Sequence, residues 1–142
     1  MLVRRACSED IEEIIEIEKS RGLGWGSYED VFSNCFASLW VCKSEHVLGF
    51  ISFRFLADEV EILSFAVRKE VEGTGVGKKL FYSCVSEAVM KNAKSIWLEV
   101  RKSNQRAIDF YLSQGFKLVK VRKEFYSFPP EDALLMKLDL TI

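Results

Sequence analysis

Three alternating glycines followed by two lysines form the stretch of this sequence best suited to chemistry. The stretch runs from Glu72 to Lys79 and lies between a strand-like run, residues 60–67, and a helical apolar stripe that begins at Val76. Glycine permits positive φ angles and the close approach of a ligand to the backbone. The first N–H groups of a helix lack partners within it and carry partial positive charge. The spacing therefore predicts a strand-to-helix turn that binds a phosphate or pyrophosphate, with added charge from Lys78 and Lys79.

Two common phosphate motifs do not fit this turn. A P-loop would place glycine at position 72 and serine or threonine at position 79, where this chain has Glu72 and Lys79. A dinucleotide fingerprint has the spacing Gly-x-Gly-x-x-Gly, whereas here Gly73, Gly75 and Gly77 alternate. A glycine-rich turn without a ligand stays open as an alternative at this point.

Glu99 and Tyr111 are the ionisable side chains whose sequence context indicates proton transfer. Glu99 lies in the apolar run 96–100, where alternation places it on one face with Trp97 and Arg101. A carboxylate is unusual in so apolar a strand and can accept a proton. The alternative is an ion pair with Arg101 on an edge strand. Tyr111 lies on the apolar stripe of a short predicted helix, where its phenol either donates a proton or packs in the core.

Composition and charge exclude several classes of protein. The chain has 142 residues, of which 49% are hydrophobic, so we expect one domain, residues 1–142, with a sizeable core. Its net charge of −1 provides no global basic field for nucleic acid or a membrane surface. The sequence contains no apolar run long enough to span a bilayer and no apolar segment of a signal peptide. We therefore expect a cytoplasmic protein that binds neither nucleic acid nor membrane.

The four cysteines, Cys7, Cys35, Cys42 and Cys84, show no spacing typical of metal ligands. We expect reduced, mostly buried thiols and no metal. The only histidine, His46, lies in a predicted hairpin turn, so a catalytic cysteine–histidine pair is not favoured.

The first part of the chain predicts a strand followed by two helices. Residues 2–5 form a short strand, and Ser8 caps a helix with an apolar stripe of isoleucines. Ser27 caps a second helix, because Asp30 follows three residues later as in a capping box. The apolar face of that second helix would comprise Val31, Phe32, Cys35 and Phe36.

Three strands with short links follow these helices and predict an antiparallel meander. They comprise residues 39–42, 47–55 and 60–67. The glycine turn and its helix, ending near residue 90, connect the third strand to another at 96–100. The two strands joined by this helix should therefore run parallel.

The last part of the chain predicts a short helix and two more strands. Ser103 or Asn104 caps the helix, which is followed by a strand at 116–122, a loop at 124–132 and a strand at 133–140. The whole pattern predicts an α+β fold, with a mixed, mostly antiparallel central sheet flanked by helices.

The order of motifs in the second half resembles the GNAT superfamily of acetyl-CoA-dependent N-acetyltransferases. Gly75-Val76-Gly77 fits the family's turn, Gln/Arg-x-x-Gly-x-Gly/Ala, and the resemblance covers residues 59–140 well. Within the superfamily the sequence is similar to the RimI-type ribosomal-protein alanine N-acetyltransferases. The motifs that carry the resemblance are Ile62–Val67, Gly73–Lys78, Ile96–Arg101, Ser103-Asn104, Ala107–Tyr111, Gly115-Phe116 and Glu131–Met136.

The resemblance implies acetyl-CoA as the co-substrate and a set of residues that bind it. The backbone of Phe65, Ala66 and Val67 would pair with the pantetheine arm, and Asn104 would contact the coenzyme through its side chain. The pyrophosphate would lie on the turn formed by Gly73, Thr74, Gly75, Val76, Gly77 and Lys78.

The resemblance also implies direct acetyl transfer to an amine in a ternary complex, without a metal. Glu99 matches the family's general base and Tyr111 its general acid. Trp25, Tyr28 and Tyr126 are expected at the mouth of the acceptor site, with core packing as the alternative for the first two.

The implied acceptor is the N-terminal α-amine of a protein, as in the ribosomal-protein enzymes of the family. A lysine side chain, a small amine, or acyl-CoA binding without turnover are the alternatives. Two departures bear on these roles, because Glu72 replaces the Gln/Arg of the family's turn and Ser64 replaces an asparagine. We expect the Glu72 carboxylate to point away from the pyrophosphate, which it would repel.

Overall fold

A computed structural model of the chain describes residues 1–23, 28 and 30–141. In these residues seven strands are present: β1 Leu2–Arg5, β2 Ala37–Lys43, β3 Val47–Leu56, β4 Glu59–Val67, β5 Ser95–Arg101, β6 Lys117–Ser127 and β7 Pro130–Asp139. The α-helices of the described part are α1 Ile11–Ser20, α2 Val76–Met90 and α3 Gln105–Ser113, with short 3-10 turns at Ser8–Asp10 and Lys69–Val71.

The seven strands form one sheet in the order β1-β2-β3-β4-β5-β7-β6. Neighbouring strands are antiparallel except β4 and β5, which run parallel because α2 carries the chain back between them. The predicted α+β fold, the meander β2-β3-β4 and the parallel pair are therefore confirmed.

The parallel pair β4–β5 separates along its length. Strand β4 pairs with β3 from Glu59 to Val67, with an irregularity between Ser52 and Phe53. It pairs with β5 only from Glu59 to Glu61 within the described residues. The rest of β4 therefore leaves backbone groups on its β5 side for something other than a neighbouring strand.

Two apolar clusters cover the two faces of the sheet. On one face, Leu80, Phe81 and Cys84 of α2 pack with strand residues and with α3. On the other, Ile14 and Ile17 of α1 pack against β2 and β3. The sheet thus lies between α1 and α2 in a three-layer arrangement, and the gap between β4 and β5 lies at its centre.

The predicted second helix is wrong. Residues 30–36 form turns, in which Asn34 Oδ1 accepts the Phe36 N–H at 2.9 Å and the Asn34 carbonyl accepts the Ala37 N–H at 3.1 Å. The side chain of Asn34 thus competes with helical hydrogen bonding. Phe32 and Phe36 of the supposed apolar face are 50% and 63% exposed. Ser27, its predicted cap, lies outside the described residues.

Two further expectations are corrected. Cys7, not Ser8, precedes the first helical turn, and the Asp10 carboxylate accepts its backbone N–H at 2.9 Å. The predicted loop 124–132 is mostly strand, because β6 continues past an irregularity to Ser127 and β7 begins at Pro130, where a missing N–H is tolerated.

The cysteines also differ from expectation. All four are free thiols, but only Cys42 and Cys84 are buried, while Cys7 and Cys35 are exposed. No group of three metal-ligating side chains is found within the described residues. In this same part of the chain, every helix is too short or too polar to cross a membrane.

Gly49 of β3 lies where β4 and α2 approach most closely, and it provides a test of this packing. A Cβ at this position would lie 2.8 Å from Val67 Cγ1 and 3.0 Å from both the Ala66 carbonyl oxygen and Leu80 Cδ1. We expect Gly49→Ala to destabilise the fold by about 1–3 kcal/mol through overpacking, measured by urea unfolding. Ser83→Ala, at a half-buried position of α2, is the control, and equal midpoints for the two variants would contradict this packing.

Candidate active site

Two cavities lie along successive parts of β4, one beside residues 59–63 and the other beside residues 65–67. The first, which we name the turn cavity, has a volume of about 540 Å³ and lies beside the glycine turn. The second, the Glu99 cavity, has a volume of about 460 Å³ and lies between β4, β5 and the β6 aromatic residues. Glu59, Glu61, Trp97 and Glu99 face the second cavity, because their strand neighbours Val60, Ile62, Ile96 and Leu98 join the α2 core.

The glycine turn forms the floor of the turn cavity, as its sequence predicts. Gly73 and Gly75 have φ angles of +78° and +93°, and Gly75 is the residue that precedes α2. A side chain at either position would be strained by this backbone, although the space around both is open. Gly77 and Lys78 of the first turn of α2 also line the cavity. The arrangement brings unpaired helix N–H groups and a lysine to one open surface.

Two residues assigned to the turn by resemblance do not line its cavity. The Thr74 hydroxyl donates to the Val71 carbonyl at 2.5 Å, so it forms a hydrogen bond within the turn itself. The Val76 side chain is 1% exposed and belongs to the α2 core. These two residues therefore shape the turn, and their backbones alone remain candidates for contact with a ligand.

The free end of β4 forms the wall of the turn cavity. Phe65, Ala66 and Val67 line it just beyond the last β4–β5 pair. Asn104 lies on the opposite wall and precedes α3, where its Oδ1 accepts the Ala107 N–H at 3.2 Å. One polar atom of Asn104 is thus used as a helix cap, and its amide group remains available to the cavity.

Glu99 lies in the second cavity with an unusual lack of partners. Its side chain is 27% exposed, yet Oε2 is buried and accepts no hydrogen bond in the described part of the chain. The nearest cationic atom is Arg122 Nε, 3.5 Å away. A buried oxygen of this kind is costly unless a further donor arrives. By contrast, Glu59 of the same cavity accepts hydrogen bonds from Trp97 Nε1 and Ser95 Oγ.

The alternative interpretation of Glu99, an ion pair with Arg101 on an edge strand, is wrong. Strand β5 lies inside the sheet, between β4 and β7. The Arg101 guanidinium instead pairs with Glu131 at 3.3 Å and donates to the carbonyl oxygens of Phe128 and Pro129 at 3.0 Å. Its Cζ lies 4.2 Å from the centroid of the Tyr126 ring, so Arg101 fixes the wall of the Glu99 cavity.

Tyr111 lines the turn cavity and not the Glu99 cavity. It is 7% exposed and packs against Phe65, Phe110 and Phe116 with ring centroids 5.4–6.3 Å apart. Burial raises the pKa of this phenol well above its usual range, and Tyr126 adds to the shift.

Tyr126 connects the surroundings of Glu99 and Tyr111. Its ring lines the Glu99 cavity, and its pKa is raised first by burial and then by the charge of Glu99. Tyr126 also contributes to the raised pKa of Tyr111, so it lies within electrostatic range of both groups. The sequence interpretation placed Tyr126 at the acceptor mouth but not between the other two.

Tyr28 lies in the α1-side core at 8% exposure and lines neither cavity, while Trp25 lies outside the described residues. The pKa of Tyr28 is raised by burial and then by Glu18, a carboxylate that is 1% exposed. Glu18 Oε2 accepts the Ser64 hydroxyl at 2.9 Å, and Oε1 has no partner among the described residues. Sequence reasoning missed Glu18, although its spacing from Ile14 and Ile15 places it on the buried stripe of α1.

Comparison with known proteins agrees with this geometry. The sequence profile described as "Acetyltransferase (GNAT) family" matches residues 8–116. A Bacillus subtilis protein, provisionally named a ribosomal protein bS18-alanine N-acetyltransferase, is 32% identical over 94% of this chain and 92% of its own length. The Haemophilus ducreyi protein of that name is 27% identical over 98% of this chain and 100% of its own. The crystal structure of Arabidopsis thaliana NAA60 in complex with acetyl-CoA has a TM-score of 0.86 at 17% identity, over 98% of both chains.

The chain belongs to the acetyltransferase (GNAT) family, as the resemblance implied. It is similar to enzymes named as ribosomal protein bS18-alanine N-acetyltransferases, and its fold is that of the NAA60 structure. Acetyl-CoA is the co-substrate of this family, which confirms that expectation.

The raised pKa values of the buried phenols predict a loss of stability at alkaline pH. In the unfolded chain these tyrosines ionise near pH 10, whereas in the fold Tyr28 and Tyr111 keep their protons to higher pH. The unfolded state then binds fewer protons than the folded state, so the free energy of unfolding falls as pH rises through 10. We expect Tyr111→Phe to lessen this fall in urea titrations between pH 8 and 11. Tyr82→Phe, at a 71% exposed position, should leave the profile unchanged; a Tyr111→Phe profile that also matched wild type would contradict the assignment.

Proposed function

We propose that this chain transfers an acetyl group from acetyl-CoA to the N-terminal α-amine of a protein, with a ribosomal protein as the favoured acceptor. The observation that carries the proposal is that two unlike cavities line successive parts of β4, residues 59–63 and residues 65–67. One cavity presents helix N–H groups suited to a diphosphate. The other presents a buried carboxylate oxygen of Glu99 that accepts no hydrogen bond within the described residues and has Arg122 Nε at 3.5 Å. The names of the two curated relatives support the choice of acceptor.

The donor binds along the turn cavity in this proposal. Its diphosphate lies on the turn from Gly73 to Lys78, and its pantetheine arm pairs with the free backbone of Phe65-Ala66-Val67 in place of the missing strand neighbour. Asn104 faces the arm from the opposite wall. The thioester then reaches the gap between β4 and β5, and a backbone N–H of β4 stabilises its oxygen as charge develops there.

The acceptor amine enters through the Glu99 cavity. An α-amine has a pKa of about 7.7–8.0 and is largely protonated at neutral pH, so it must lose a proton before it attacks. Glu99 takes that proton, directly or through a water. The nitrogen then bonds to the carbonyl carbon, the carbon–sulfur bond breaks, and the sulfur receives a proton from Tyr111. The nitrogen, now bonded to the acetyl group, releases its second proton, which restores the Tyr111 phenol through water, while the proton held by Glu99 passes to solvent. The burial that raises the pKa of Tyr111 also makes the leaving sulfur more basic. The phenol therefore stays protonated until the carbon–sulfur bond breaks, and it then donates its proton to the sulfur.

Tyr126 has a positioning role in this mechanism. It lies over Arg101 and within electrostatic reach of both Glu99 and Tyr111. Its ring forms the wall that an incoming peptide passes on its way to the amine site.

Replacement of Glu99 tests the base. We expect Glu99→Gln to lower kcat by about 10²- to 10⁴-fold, the range for loss of one general base, in a thiol-release assay with N-terminal peptides. The variant keeps the shape of the side chain and should still bind acetyl-CoA. Glu45→Gln, in the exposed β2–β3 turn, provides the matched control and should keep full activity. Equal rates for Glu99→Gln and wild type would exclude Glu99 as the base.

The acceptor class is tested with paired peptides. We expect acetylation of a peptide with a free N-terminus and no reaction with the same peptide when its N-terminus is blocked and an internal lysine is offered. The site of modification is read by mass spectrometry. Reaction at lysine would replace the N-terminal proposal with a lysine acetyltransferase, and tight coenzyme binding without any product would favour a non-catalytic sensor.

A further inference from the structure

The Glu72 carboxylate, which departs from the family's turn motif, does not point freely into solvent. Its Oε1 lies 2.5 Å from Arg21 Nη2, and its Oε2 lies 3.4 Å from Arg106 Nε. Arg21 follows α1 directly, while Arg106 lies in the first turn of α3. One carboxylate therefore joins two cations from separate elements across the mouth of the turn cavity, and all three residues line that cavity.

The charges of this bridge are unbalanced, and this imbalance favours an anion. Two guanidinium groups face one carboxylate, so the cluster keeps a net positive charge beside Lys78 and the start of α2. The side chains are also unequal in exposure, with Glu72 at 18%, Arg21 at 30% and Arg106 at 63%. The longer and more exposed contact, between Glu72 and Arg106, is the one that opens most readily.

We propose that Glu72 acts as an internal stand-in for a phosphate of the coenzyme. In the free protein it holds Arg21 and Arg106 at the cavity mouth; when the coenzyme binds, Arg106 turns from the carboxylate to a phosphate, to which guanidinium groups bind in a fork geometry. The proposal rests on binding of acetyl-CoA in the turn cavity and is independent of the identity of the acceptor.

If Glu72 competes with a phosphate for the arginines, removing the charge at position 72 and removing the charge at position 106 should change coenzyme affinity in opposite directions. Removing the Glu72 charge frees both arginines and removes a repulsion, so coenzyme binding should become tighter. Removing the Arg106 charge takes away a phosphate contact, so binding should become weaker. A carboxylate that merely supported the arginines would give the opposite result at position 72.

Calorimetric titration of the full chain with CoA tests the competition. We expect Glu72→Gln to bind CoA about 2- to 5-fold more tightly and Arg106→Gln about 3- to 10-fold more weakly at low ionic strength, with both differences reduced by salt. In the double variant, Glu72→Gln should increase CoA affinity less than it does alone, because the Arg106 guanidinium that it would free is absent. Asp58→Asn and Lys94→Gln, which break an exposed ion pair of 3.2 Å between the β3–β4 turn and the segment before β5, are the matched controls.

A second titrant, 3′-dephospho-CoA, identifies the phosphate. If Arg106 takes the 3′-phosphate, Arg106→Gln will weaken CoA binding but leave dephospho-CoA binding unchanged. If it takes the diphosphate, both ligands will weaken equally. Weaker CoA binding by Glu72→Gln, or unchanged binding by Arg106→Gln, would overturn the proposal. Because calorimetry needs no acceptor, a failure of the N-terminal acetylation proposal would appear separately, as binding without turnover.

Discussion

The early separation of β4 from β5 is the constraint on which the rest of this structure depends. A parallel pair that continued through residue 67 would use the β4 backbone groups internally and would close the centre of the sheet. Here the pairing ends at Glu61, while β3 supports β4 along its whole length. The unpaired edge is thus held rigid by one neighbour and left open towards the other. A ligand that adds to it meets a preorganised backbone and gives up little conformational entropy on the protein's side.

The two cavities also differ in the charges of the residues that line them. The turn cavity has a helix start, Lys78 and two arginines against Glu72 and Asp109, which suits an anionic ligand. The Glu99 cavity has three carboxylates against Arg122, which suits a cationic one. An α-ammonium group and a polyphosphate would therefore be drawn to different cavities.

The sequence predicted most of the fold, because its local signals were strong. The alternating apolar residues of β3 to β5 and the positive-φ glycines of the turn leave few other structures open. The second helix failed because Asn34 provides local hydrogen bonds that compete with a helix, which periodicity does not register. Glu18 was missed although its spacing fits the buried stripe of α1, because burial of a carboxylate depends on tertiary partners such as Ser64.

Sequence motifs indicated which residues belong to the candidate site, but not how these residues are arranged. Motif order indicated Glu99, Tyr111 and the glycine turn, and their roles stay predictions. In the structure Glu99 lines one cavity, while Tyr111 and the glycine turn line the other. Their distribution over two cavities, with Tyr126 between them, could not be read from spacing. Nor could the partners of Glu72, because Arg21 and Arg106 lie far from it along the chain and meet it only when α1 and α3 pack beside the turn.

Two separate cavities along one strand have a consequence for the order in which ligands bind and leave. If each substrate has its own entrance, occupancy of one leaves the other unobstructed, and the chain can load its ligands in either order. A long polypeptide held at one side would not trap spent coenzyme at the other. Such an enzyme can discharge CoA and reload acetyl-CoA while a large assembly remains docked.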